Sequence, residues 1–114
     1  MATNFKNPRI RDNKHLRFVA SLPCAVTGRG DVQAAHISHG RNSMGMKAGD
    51  NRTVPLNFEV HARQHSLGSE IFFWDQYGGI EYAILLAESL YANTGNRENC
   101  LDLIKKFRMR EGLY

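Results

Sequence analysis

One hundred and fourteen residues, 42% apolar and 23% charged, suffice for one hydrophobic core and are too apolar for a disordered chain. No run approaches the roughly eighteen apolar residues of a membrane span, and Met-Ala-Thr-Asn-Phe-Lys-Asn-Pro lacks the apolar stretch of a signal peptide. The net charge of +4 is unevenly spread: residues 1–65 hold ten Lys or Arg, four acids and all five histidines, while residues 66–114 hold five bases and seven acids.

That division, +6 against −2, points to a polyanion-facing surface backed by a structural scaffold. Two cysteines, Cys24 and Cys100, make no disulfide framework, so the expected setting is cytoplasmic, with reduced thiols and no membrane partner.

Residues 1–11 read as a flexible basic arm, because Pro8 disfavours helix at Asn7. Asp12 then caps a helix over 13–22 with Leu16, Val19, Ala20 and Leu22 on its apolar face, and Pro23 follows its end. Thr27-Gly-Arg-Gly-Asp31 is turn chemistry, and Val32-Gln-Ala-Ala-His-Ile37 a short strand. Residues 38–52 make a long polar loop with three glycines, of a length that a compact domain rarely keeps without a use for it.

Thr53–Leu56 is a second strand, its Pro55 suited to an edge. Asn57 caps a helix to about Ser66 or Leu67, closed by Gly68. Ser69 opens another through Ile71, Phe72, Phe73, Trp74 and Tyr77, broken at Gly78-Gly79. This aromatic cluster reads as core packing, with a base-stacking platform as the alternative. Ile80, Ala83, Ile84, Ala87 and Leu90 then recur at helical spacing as far as Thr94-Gly95. Asn96 starts a last helix whose Lys105, Lys106, Arg108 and Arg110 suit the negative end of its dipole. The expected fold class is α+β in one domain: the arm, a core over 12–67 built on a two-stranded hairpin and a helix, and a helical scaffold over 68–114.

His61-Ala-Arg-Gln-His65 is the sharpest local signal, because residues four apart on a helix share a face and can offer two imidazoles to one metal ion. Alone the pair reads rather as two surface histidines on an amphipathic helix. Its context is a strand bearing His36, a long loop, a second strand and then the helix, which together suit a metal-centred unit.

The run Val32-Gln-Ala-Ala-His-Ile37, Gly45-Met-Lys-Ala-Gly-Asp50, Val54-Pro-Leu56 and His61-x-x-x-His65 resembles phage and prophage HNH endonucleases of the recombination-associated type, over about residues 12–94. The resemblance implies a ββα-metal core and hydrolysis of phosphodiester bonds in DNA, in phage recombination, repair or packaging. It implies His36 as general base, and His61 and His65 as ligands of one divalent cation, Mg²⁺, Mn²⁺ or a transition metal such as Zn²⁺ or Ni²⁺. Asp50 matches the family's Gly-x-Lys-x-x-Asp pattern as a third ligand, with a turn-stabilising Asp as the other reading. Many relatives place a ligand just before the base. Here that residue is Ala35, which leaves His36 itself open as a ligand.

Arg41, Lys47 and Arg52, with His39, lie in or beside the loop over this site and are candidate phosphate contacts. Such nucleases often carry two Cys-x-x-Cys pairs for a structural zinc. Only Cys24 stands at those positions, so no structural zinc is expected, and packing by Val60 and Phe58 would replace it. The expected partner is DNA, with phage or host recombination proteins and a homodimer compatible with double-strand cleavage. The rival readings are a catalytically inactive HNH scaffold that binds nucleic acid and a metallo-hydrolase acting on a small molecule.

Overall fold

In the computed structural model, which describes residues 9–38 and 48–110, Asp12 Oδ1 accepts from the His15 N–H and opens α1 (Asn13–Ala20). The chain then turns through Gly28, at φ 74°, into β1 (Val32–His36), which pairs antiparallel with β2 (Thr53–Asn57). The register runs from Val32 opposite Asn57 to His36 opposite Thr53. Pro55 faces Ala34 and, having no N–H to give, still accepts at its carbonyl from the Ala25 N–H at 2.8 Å.

Helix α2 (Phe58–Leu67) follows β2 directly, with the Asn57 side chain accepting from Glu59 N–H and Gly68 closing it in the left-handed conformation at φ 73°. Helix α3 (Glu70–Asp75) starts on Ser69, whose hydroxyl accepts from Phe72 N–H. Helices α4 (Ile80–Ala92) and α5 (Arg97–Arg110) complete an α+β fold of one two-stranded hairpin and five helices among the described residues. None of these helices is long and apolar enough to cross a membrane.

Both α1 and α2 pack on the hairpin, α4 on β2, α5 on α4, and α3 joins α2 to α4. Leu22, Ile37, Leu56, Leu90 and Phe107 meet in the resulting core. The aromatic cluster divides as helical spacing requires. Phe73 and Trp74 are buried edge to face with centroids 4.9 Å apart, whereas Phe72, at 60% exposure, lies outside. Val60 packs in the core, but Phe58 is half exposed and so is not the replacement for a zinc site that the sequence implied. Cys24 and Cys100 are buried free thiols, and burial pushes the Cys100 thiol up.

His15 is buried on α1, with Nδ1 2.7 Å from Thr94 Oγ1 and no hydrogen-bond partner at Nε2 among the described residues. Burial lowers its pKa, against the opposing charges of Asp12 and Asp50. The unfolded chain therefore takes up a proton there before the folded one, so the contribution is complete above the ordinary histidine value and falls as pH drops below it. Denaturant unfolding at pH 7.5 and 5.0 is expected to show the wild type losing stability on acidification. His15→Leu should lose less, and equal losses in the two proteins would contradict this role.

Candidate functional site

Along β1 side chains alternate. Ala35 is buried and so is Ile37 just beyond the strand end, which leaves His36 between them facing outward with 39% of its side chain exposed. A turn closed by Arg52 N–H donating to the Gly49 carbonyl sets Asp50 just before β2, and Thr53 Oγ1 donates to the Asp50 carbonyl. The Asp50 carboxylate is buried at 8% exposure and accepts twice: from His36 Nε2–H at 2.8 Å and from the Asp12 backbone N–H at 2.7 Å. A carboxylate can only accept, so His36 carries its proton on Nε2 and presents the lone pair of Nδ1, which has no partner among the described residues.

Burial alone would raise the Asp50 pKa. The hydrogen bonds from His36 and Asp12, with the charges of His36 and Arg9, overcome that and hold it below the usual carboxylate range.

The N-terminal segment interlocks with this turn. Asp50 N–H donates to the Ile10 carbonyl at 2.8 Å, and a Cβ added at Gly49 would stand 3.1 Å from Ile10 N. Residues 9–11, read above as the end of a flexible arm, are thus held against the site. A cleft of about 640 Å³ opens beside it, lined by Arg9, Arg11, Asn13, His36, Ser38 and Asp50 among others.

The histidine pair forms a second cluster. Gln33 Oε1 of β1 accepts from His61 Nδ1–H at 2.7 Å, which leaves the His61 Nε2 lone pair to accept from His65 Nε2–H at 3.1 Å. Burial lowers the His61 pKa, and the charges of His65 and then His36 lower it further. Two nitrogens 3.1 Å apart match the spacing of neighbouring donors at about 2.1 Å from one ion. The Gln33 bond fixes the ring orientation that such ligation needs.

The expected residues therefore fall in two groups. His36 and Asp50 are bonded to each other, and His61 and His65 to each other. Asp50 does not join the pair, and no cluster of three or more His, Cys, Asp or Glu suited to a metal forms among the described residues. Arg52 is 14% exposed and pairs with Glu88 of α4 at 3.5 Å, and it is not among the residues lining the cleft. His39, Arg41 and Lys47 lie outside the described residues.

Three contributors escaped the sequence reading: Arg9, Arg11 and Gln33. The alternate spacing of the two arginines was a faint signal. Gln33 gave none, because its contact depends on how α2 packs across β1.

The chain is a member of the family described as "Protein of unknown function (DUF968)", which matches residues 2–90. No curated protein and no solved structure matches it.

Asp50→Ala removes the acceptor of both His36 and Asp12 and should cost about 1–3 kcal/mol in urea unfolding at neutral pH. An unchanged midpoint would show that the carboxylate holds nothing in place.

Proposed function

We propose that this chain is a metal-dependent endonuclease of the HNH, ββα-metal type, hydrolysing phosphodiester bonds in DNA. The observation that carries the reading is the 2.8 Å bond from His36 Nε2–H to Asp50, which leaves Nδ1 as the ring's acceptor on a residue lining a cleft with two arginines. The order β1–β2–α2, with His36 on the first strand and His61 and His65 on the helix, supports it. The motif resemblance over residues 32–65 supports a role in phage recombination, repair or packaging.

His36 Nδ1 takes a proton from water as its oxygen attacks phosphorus, which makes the ring an imidazolium. Asp50 opposes that new charge through the bond it already makes and holds the ring in one tautomer, so no reorganisation is needed during the step. His61 and His65 would hold a divalent cation, which would supply Lewis-acid stabilisation of charge developing on the phosphoryl and leaving oxygens. Two imidazole donors favour Mn²⁺ or a later transition ion over Mg²⁺. Gln33 keeps His61 from turning away.

Plasmid nicking in Mn²⁺ and hydrolysis of bis(p-nitrophenyl) phosphate test the reading. His36→Ala should reduce both on the order of 10²–10⁴-fold, and EDTA should abolish both. Asp50→Asn should reduce kcat more than it raises KM. A wild type that binds DNA but cleaves neither substrate would support the inactive binding scaffold instead. Cleavage undiminished in His36→Ala would remove that residue from the mechanism.

Gln33→Ala should weaken Mn²⁺ or Ni²⁺ binding by about 10–100-fold in calorimetric titration. Equal affinity in the two proteins would contradict its orienting role.

A further inference from the structure

Arg9 and Arg11 both line the cleft that holds His36, from a non-helical segment in which they flank Ile10. That segment is anchored at two points, the Ile10 carbonyl and the Asp12 N–H, and both anchors end on Asp50. Asp50 is also the residue that orients His36. One residue thus sets the backbone bearing the two arginines and the ring bearing the reactive nitrogen.

The charge of Arg9 acts on Asp50, but neither guanidinium is tied up by a direct bond. Neither makes a salt bridge or hydrogen bond among the described residues. Arg29 pairs with Glu59, Arg52 with Glu88, Arg63 donates to Tyr77 Oη and Arg97 to the Ser21 carbonyl. Asp50, which lines the same cleft, already accepts from two donors. Two arginines lining one cleft favour an oxyanion that can accept paired N–H bonds, and a phosphodiester does so.

We infer that Arg9 and Arg11 form the phosphate-binding wall of this cleft and grip the sugar–phosphate backbone of the nucleic-acid strand presented to His36. The inference rests on the nuclease reading for the identity of the anion. It moves the phosphate contact from Arg52, held by Glu88, to the segment before α1.

Fluorescence anisotropy of a labelled DNA duplex with the full chain in EDTA, where binding is read without cleavage, tests it. Relative to wild type, R9Q/R11Q should bind at least about tenfold more weakly. Its plot of log affinity against log salt should be shallower by about two, the loss of two phosphate contacts. R9K/R11K, which keeps the charges, should retain the wild-type salt slope.

An R9Q/R11Q protein with wild-type affinity and slope would overturn the inference, as would an R9K/R11K protein that loses as much slope as R9Q/R11Q. A wild type that binds neither duplex nor single-stranded DNA would overturn it too. In each case His36-dependent hydrolysis of bis(p-nitrophenyl) phosphate would still stand for the hydrolase reading, and its absence would count against that reading alone.

Discussion

The Asp50 carboxylate accepts from two donors that lie far apart in the chain, the Asp12 backbone N–H and His36 Nε2–H, while its own N–H reaches back to Ile10. Burying a carboxylate costs several kcal/mol unless hydrogen bonds or opposite charge replace its hydration. Here two short bonds do so, each to an ionised acceptor and worth about 1.5–3 kcal/mol, helped by the charge of Arg9. The arrangement is satisfied only when the segment before α1, the turn before β2 and the end of β1 are all in place. The three are therefore one unit, and the rest of the site inherits its geometry.

The histidines divide along the same logic. His36 is held by a carboxylate, which suits a ring that gains charge during its work. His61 is held by the neutral carbonyl of Gln33, which fixes a tautomer without adding charge and turns the Nε2 lone pair towards His65. The proposed base and the proposed metal donors are thus distinguished by their partners. Sequence spacing alone left His36 open to either role.

Much of the fold was legible because its signals are local. Asp12, Asn57 and Ser69 each accept from a backbone N–H two or three residues on, and Gly68 needs only its own freedom at φ 73°. None of these depends on the distant chain. Partner choice does depend on it, and there the reading was coarser. Asp50 was weighed as a metal ligand or a turn residue, and its bond to His36 follows from how β1 and β2 register. Arg52 looked like a phosphate contact from its place by the loop, but the packing of α4 on β2 gives it Glu88. His15 had no assigned role, because nothing local shows that α1 buries it against Thr94. Arg9 and Arg11 read locally as part of an arm, since the hydrogen bonds that fix their neighbours Ile10 and Asp12 both come from distant Asp50.

The central claim is that His36 is the reacting base and that the cation belongs to the α2 histidines. A crystal structure grown with Mn²⁺ and a non-cleavable DNA tests it most directly, through the anomalous peak of the ion. The account predicts the ion on His61 and His65 Nε2, with His36 still bonded to Asp50 and its Nδ1 facing the phosphate. An ion ligated by His36 itself, with the Asp50 bond broken, would contradict it.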